Sequence, residues 1–161
     1  MFLLEKGIEM CEEEINICKY HCIYEGLSEM VDFLVKRWGY SEDLLIEALN
    51  ISSEEMVCIL LRYENNMNKY IIESAEKRMS LVVSELLNRG ASANQNNEYG
   101  NTPLHIACKN NDINTIRVIL KFNPLIIKNN RNQTPLQIAL SNKNIEIIQE
   151  IKNYMKNSSK L

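Results

Sequence analysis

The sequence predicts an all-α solenoid, in which antiparallel pairs of helices stack one on the next. Glycine and proline, the residues that break helices, number only five and three in 161 residues. Two stretches near the C-terminus, which begin at Asn101 and Gln133, resemble each other, and such a spacing is typical of stacked repeats. Both stretches contain Thr-Pro, a frequent start of a helix. We therefore expect a single repeat domain over residues 1–161.

The clearest unit reads NTPLHIACKNNDINTIRVIL from Asn101, and its counterpart reads QTPLQIALSNKNIEIIQEI from Gln133. Thr102 and Thr134 are suited to cap a helix N-terminus, and the proline after each of them suits the first helical position, where no backbone donor is needed. Apolar residues then recur at helical spacing, a short polar break follows, and a second amphipathic segment completes the unit. Each unit is therefore predicted to be a helix, a tight turn and a second helix.

The hexapeptide TPLHIA at 102–107 closely resembles the ankyrin-repeat signature T-P-L-H-x-A, and the spacing from Thr102 to Thr134 agrees with the period of that family. TPLQIA at 134–139 matches it with Gln137 in place of the histidine. Upstream, SLVVSELLNRGASAN at 80–94 resembles the second helix and loop of an ankyrin repeat. Ala75 stands where the first helix of a repeat is expected to have a small side chain, which we call the small position. The resemblance implies stacked helix pairs that bind another protein.

The N-terminal half fits the same template more loosely. Ala48 and Cys22 take the small position of two earlier first helices, and Gly26 takes the turn between helices. Ser52-x-x-Glu55 is a candidate capping box for a second helix. The first copies follow one another more closely than the later copies do, so the first hairpin loops are expected to be short or missing. We expect about five repeats: degenerate repeats at 17–42 and 43–68, repeats at 69–96 and 97–128, a C-terminal capping repeat at 129–161, and a partial repeat or N-terminal stub at 1–16.

Composition narrows the classes of function. A net charge of −3 argues against nucleic acid or an anionic membrane as the main partner, and no apolar run approaches the roughly 18–20 residues that span a bilayer. Five cysteines without paired spacing suit reduced thiols, and hence an intracellular, cytoplasmic protein. Asparagine and isoleucine are unusually frequent, a bias typical of AT-rich genomes. A viral or pathogen protein that acts in the host cytoplasm or nucleus is therefore a further hypothesis.

Thr102, His105 and Cys108 place a hydroxyl, an imidazole and a thiol within seven positions, which raises the question of nucleophilic catalysis. Because Cys108 lies about 240° around the helix from Thr102, the three groups do not converge as a nucleophile and its base must. No Gly-x-Ser-x-Gly elbow accompanies them. The family resemblance implies turn hydrogen bonds for Thr102 and His105 instead, with Cys108 at a packing position. We expect no catalytic residue and no enzyme activity.

A second cluster consists of Cys11, Cys18, His21 and Cys22, side chains of the kinds that bind zinc. Zinc needs four nitrogen or sulfur ligands in a tetrahedral array, usually from paired knuckles such as C-x2-C, and no such pair occurs here. Cys22 is better explained by the small position of its repeat. We expect neither a metal site nor a cofactor. A thiol- or zinc-dependent activity at Cys18, Cys22 or Cys108 is the remote alternative.

The family resemblance assigns partner binding to the loop tips before the TPLH motif and to the exposed end of the first helix. Tyr99 is the candidate anchor, because aromatic side chains dominate interface hot spots. The partner-binding residues that the resemblance implies are Glu76, Lys77, Glu98, Tyr99, Asn101, Lys109, Asn110, Asn130, Arg131, Gln133, Ser141 and Asn142. The leading hypothesis is a monomeric, non-enzymatic module that binds a partner protein through a preformed concave face. The alternative is a targeting or adaptor fragment of a larger effector or enzyme.

Overall fold

A computed structural model of the chain describes residues 11–158. Over that range the structure is helical and contains no strand, which confirms the predicted fold class. Residues 1–10 of the partial repeat or stub predicted at 1–16 lie outside the described residues. The α-helices of the described range are α1 (Glu12–Tyr24), α2 (Ser28–Trp38), α3 (Glu42–Asn50), α4 (Glu54–Leu60), α5 (Ile71–Glu76), α6 (Ser80–Asn88), α7 (Pro103–Lys109), α8 (Ile113–Leu120), α9 (Pro135–Ser141) and α10 (Ile145–Ser158).

The chain divides into two compact units, Met1–Glu64 and Asn65–Leu161. The first unit contains α1 to α4, and the second contains α5 to α10. Within each unit consecutive helices form pairs, so that α1 packs on α2, α3 on α4, α5 on α6, α7 on α8 and α9 on α10. The pairs then stack in two layers: in the second unit α5, α7 and α9 form one layer, and α6, α8 and α10 form the other. The division into repeats at the residue numbers predicted from the sequence stays a prediction.

The turn inside each helix pair has one residue in the left-handed backbone region. These residues are Gly26, Ser52, Arg78, Asn111 and Lys143, with φ between 54° and 70°. Their spacing along the chain reproduces the spacing predicted between copies of the unit, shorter over the first two steps and longer over the last two. The same turn geometry thus recurs in all five described pairs, even in those whose sequence had diverged most.

A second recurring contact fixes the small position of the first helices. The backbone N–H of the residue after the left-handed position donates to a carbonyl five positions earlier, as in Leu27 to Cys22 (2.8 Å) and Met79 to Ser74 (3.0 Å). This is the Schellman arrangement that ends many helices. Ser74 therefore occupies the small position of α5, and the assignment of Ala75 to it was wrong by one residue. Ala75 corresponds instead to Cys108.

Some second helices are capped by a polar side chain, though not always by the predicted one, whereas α2 and α6 follow Leu27 and Met79 and have no side-chain cap. Ser53, rather than Ser52, caps α4 by accepting a hydrogen bond from the backbone N–H of Met56 at 3.4 Å. Ser52 is unsuitable because it holds the left-handed turn, with φ of 56°. Asp112 caps α8 and accepts hydrogen bonds from both the N–H and the hydroxyl of Thr115.

The loops between pairs differ in length between the two units. Only residues 39–41 separate α2 from α3, whereas residues 89–102 and 121–134 separate the later pairs. This confirms the predicted short connection in the N-terminal half. The first helix also begins at Glu12, so 12–16, predicted to belong to a partial repeat, are part of α1.

The core lies between the two layers of each unit. In the second unit Val82, Leu86, Ile116 and Ile119 are fully buried on α6 and α8, as is Ala107 on α7. Full burial of one such branched side chain stabilises a fold by about 1.5–3 kcal/mol. The packed layers therefore hold the first helices and the long loops in fixed positions.

Candidate protein-binding site

Two asparagines shape the tips of the long loops. The side-chain oxygen of Asn97 accepts hydrogen bonds from the backbone N–H groups of Tyr99 (3.1 Å) and Asn101 (3.0 Å). Asn129 repeats this arrangement in the next loop, with the N–H groups two and four positions on, both at 3.0 Å. Asparagine side chains favour such turns because they imitate a backbone acceptor. The loop tip that contains Tyr99 and the tip of the next loop are therefore held by hydrogen bonds within the chain.

The two tips are also bonded to each other. The backbone N–H of Asn130 donates to the carbonyl of Tyr99 at 3.1 Å, and its side-chain amide donates to the carbonyl of Glu98 at 2.9 Å. Gly100 has φ of 71° and allows this approach, because a Cβ there would lie 2.5 Å from the side-chain oxygen of Asn130. Two predicted binding residues, Glu98 and Asn130, thus also hold the loops together.

His105 links two neighbouring repeats from a buried position. Its Nδ1 accepts from the backbone N–H of Thr102 at 3.1 Å, and its Nε2 lies 3.1 Å from the carbonyl oxygen of Gln133. The Thr102 hydroxyl is 2.8 Å from Nδ1, so these two side chains do meet, in the capping arrangement that the family resemblance implied. Cys108 is fully buried, and burial raises the pKa of its thiol to about 12, which disfavours the reactive thiolate.

Asn110 and Asn142 fasten each first helix to the one before it. The side-chain amide of Asn110 donates to the carbonyls of Ala75 (3.4 Å) and Glu76 (3.2 Å) at the end of α5. Asn142 makes the same pair of bonds to the last carbonyls of α7, at 3.0 and 3.3 Å. Both residues were predicted to bind a partner, and the structure shows that their amide donors are used within the chain.

A cleft of about 470 Å³ lies between the loop tips and the exposed ends of α7 and α9. It is lined by Tyr99, Asn101, Lys109, Asn129, Arg131, Gln133, Ile138, Ser141 and Asn142. A smaller cleft of about 210 Å³ adjoins it on the α5 side, and the two share four residues, Tyr99, Asn101, Lys109 and Ile138. We call the two clefts together the tip groove.

Most of the predicted partner-binding residues line the tip groove. Glu76 and Asn110 line its smaller cleft, and seven others line the larger one. Lys77, Glu98 and Asn130 line neither cleft, and Lys77 instead forms an ion pair with Glu73 at 3.7 Å. The structure therefore brings nine of the twelve residues to one surface.

Sequence reasoning missed two residues of the larger cleft, Asn129 and Ile138, and three of the smaller cleft, Asn97, His105 and Ile106. Ile138 belongs to the apolar repeat pattern and was therefore read as core, yet it is half-buried and lines both clefts. The equivalent residue one repeat earlier, Ile106, is 4% exposed. The signal for Asn129 was its equivalence to Asn97 in the preceding loop.

The cysteines of the first unit occupy different environments. Cys22 is buried in its repeat, and burial raises the pKa of its thiol, whereas Cys18 is half-buried and Cys11 exposed. Residues 11–158 contain no group of three or more His, Cys, Asp or Glu side chains placed to hold a metal ion. Among the same residues no helix has the length and apolarity required to cross a bilayer.

Stacked helix pairs joined by a left-handed turn, with paired loop tips beside a groove, define a helical repeat protein. A family model described as ankyrin repeats (3 copies) matches residues 71–160, from the start of α5 to beyond α10. The chain belongs to the ankyrin-repeat family, and its repeats indicate a protein–protein interaction module. A search of the curated proteins found no match.

Proposed function

We propose that this chain binds a partner protein through the tip groove of its second unit. The observation that carries the proposal is the tip groove itself, where residues from the loop tips and from the ends of successive first helices line one continuous surface. Loop residues that a rigid scaffold positions are frequent carriers of binding function. The Asn- and Ile-rich composition extends the proposal to a host protein as the partner.

The chemistry of the groove suits a polypeptide. Tyr99 has an exposed ring, 57% accessible, and Ile138 adds an apolar surface beside it. Around them the amide side chains of Gln133 and Asn101 supply hydrogen-bonding groups for a partner's main chain, with the Asn101 oxygen already accepting one bond from the Asn129 amide at 2.7 Å. An aromatic anchor amid adaptable polar groups is a common composition of protein interfaces.

Binding here would require little ordering of the chain. The loop tips are held by the bonds of Asn97, Asn129 and Asn130 before any partner arrives. Preorganised loops avoid most of the entropy cost of immobilising side chains at an interface. The asparagine contacts therefore serve binding indirectly, by fixing where Tyr99 stands.

The test is capture of partners from a cell lysate by the full chain and by two single variants. Tyr99→Ala removes the proposed anchor, and Leu125→Ala removes a matched side chain, since Leu125 is also 57% exposed but lines neither cleft. We expect the wild-type chain and Leu125→Ala to recover the same proteins, and Tyr99→Ala to lose them. Equal recovery by Tyr99→Ala, in a variant with unchanged circular dichroism, would refute this site.

A further inference from the structure

The larger cleft of the tip groove is lined by positively charged side chains, and the nearby Glu98 carboxylate accepts a hydrogen bond from the Tyr99 hydroxyl. Lys109 and Arg131 line the larger cleft, both are exposed, and neither has an ion-pair partner among residues 11–158. No aspartate or glutamate lines this cleft. Elsewhere in the second unit, Arg117 of α8 is bonded to two carboxylates, those of Glu146 (2.9 Å) and Glu150 (2.8 Å). The cleft therefore has cations that the fold leaves available.

An apolar surface adjoins these cations. Tyr99 is more than half exposed, and Ile138 lines both clefts. A ligand that fills the larger cleft therefore contacts two positive groups and an apolar surface together. Carboxylates complement the two positive groups, and an aliphatic or aromatic side chain complements the apolar surface.

The charge changes sign along the groove. The smaller cleft is lined by Glu76 and shares Lys109 with the larger one, so the negative end lies towards α5 and the positive end towards α9. A bound segment in extended conformation would have its acidic side chain over Lys109 and Arg131 and avoid acidic side chains near Glu76. Polarity of this kind sets binding direction and specificity more than affinity.

We infer that the tip groove recognises an acidic segment of its partner, one in which an aspartate or glutamate stands next to an aliphatic or aromatic residue. The inference rests on the proposed function, because it names the chemistry of the ligand for that same groove. The chain as a whole has a net charge of −3, so recognition is local rather than steered by the overall field. The same net charge, with only two cations in the cleft, disfavours an extended polyanion such as a nucleic acid.

The test is selection of a phage-displayed library of random dodecapeptides on the full-length chain, followed by affinity measurement with the enriched synthetic peptides. Enriched sequences are expected to have Asp or Glu adjacent to Leu, Ile, Phe, Trp or Tyr. Lys109→Glu/Arg131→Glu is expected to weaken peptide binding by about tenfold or more, because two attractions become two repulsions. Wild-type affinity should also fall with added sodium chloride.

A matched control changes the same charge outside the groove. Lys152→Glu/Lys156→Glu alters two exposed lysines of α10 that line neither cleft, and it should bind the peptides as the wild type does. Enrichment without acidic residues, or equal loss in both double variants, would overturn the inference. If the oligonucleotide dT15 bound as tightly as the enriched peptides, the inference would be overturned in favour of general anion binding.

Failure of the inference and failure of the proposed function give different results. If the selected peptides lack acidic residues but Tyr99→Ala still abolishes their binding, the groove binds a partner of other chemistry. The groove itself is the wrong site if the library yields no binder, or if its binders have the same affinity for the wild type, Tyr99→Ala and the charge-reversal variant. The inference is then wrong as well.

Discussion

Replacement of His105 by glutamine tests how neighbouring repeats are joined. The imidazole Nδ1 accepts a backbone hydrogen bond from Thr102, so the proton of the neutral ring must lie on Nε2, which then donates to the carbonyl of Gln133 at 3.1 Å. The ring is 1% exposed, and its partner Gln133 belongs to the next repeat. Its two nitrogens thus cap α7 and hold the next loop tip at once.

The expected loss of stability follows from these two bonds. In the next repeat Gln137 already caps α9, with its side-chain oxygen accepting from the N–H of Thr134 at 2.8 Å. A glutamine at position 105 should therefore keep the cap but lose the bond to Gln133, at a cost of about 1 kcal/mol. His105→Ala loses both bonds, leaves the Thr102 N–H without its partner and opens a cavity, so it should cost about 2–4 kcal/mol.

Acidification should remove the stability that the hydrogen bonds of His105 contribute. Burial lowers the pKa of His105 below the ordinary 6.5 and outweighs the opposing effect of the carbonyls of Gln133 and Ile127. Between the lowered pKa and 6.5 the unfolded chain binds more protons than the folded one. The stability that neutral His105 contributes is thus complete above pH 6.5, and it is lost as the pH falls through this window.

The assay is urea unfolding followed by circular dichroism at pH 7.5 and pH 5.5. His21, the other histidine, is exposed, so His21→Gln serves as a matched control. We expect the wild type and His21→Gln to lose stability on acidification, and His105→Gln to lose distinctly less. An equal loss in His105→Gln and wild type would refute the tautomer and the bonding described for this ring.

Three further substitutions test the repeat geometry by urea unfolding. Ser74→Ala should stabilise the chain by about 1 kcal/mol, because no residue within 11–158 bonds the buried hydroxyl; destabilisation would contradict this. Arg78→Gly should be more stable than Arg78→Ala by about 1 kcal/mol, since φ is 60° there and glycine occupies the equivalent position 26; the reverse order would count against the shared turn. Gly100→Ala should destabilise by about 2–3 kcal/mol through the contact with Asn130, and an unchanged midpoint would be inconsistent with the paired loop tips.

Features that depend on local sequence were predictable. Thr102 and Thr134 form the predicted N-caps with proline behind them, because capping and fixed proline φ act within one turn of helix. The helix-pair fold and the spacing between units followed from the same motif and its repetition. Local rules were sufficient here because each repeat is largely stabilised by the repeats next to it in the sequence.

Features that depend on packing between repeats could not be predicted from the sequence. Two small residues stand side by side in α5, so only the turn hydrogen bond distinguishes Ser74 from Ala75 as the packing residue. The sequence around Arg78 does not indicate that this residue has a left-handed backbone conformation. Ile138 has the same apolar character as Ile106, yet Ile138 is half-buried whereas Ile106 is 4% exposed, and the repeat pattern does not signal this difference.

The predicted binding residues divide in a similar way. Nine of the residues that the family resemblance implies line the tip groove, but the resemblance did not distinguish side chains that face the groove from those already bonded within the chain. Asn110 and Asn142 line the groove while using their amide donors on the preceding helix. Lys109 and Arg131, by contrast, keep their charged groups available to a ligand.

Hydroxyl-radical footprinting of the chain, alone and with a captured partner, tests the binding surface most directly. Tyr99 and Tyr24 are 57% and 61% exposed, so the free chain should be oxidised comparably at both rings. Binding at the tip groove predicts that the partner lowers oxidation of Tyr99 severalfold and leaves Tyr24 unchanged. Oxidation of Tyr99 that stays at its free level in the complex would contradict the account.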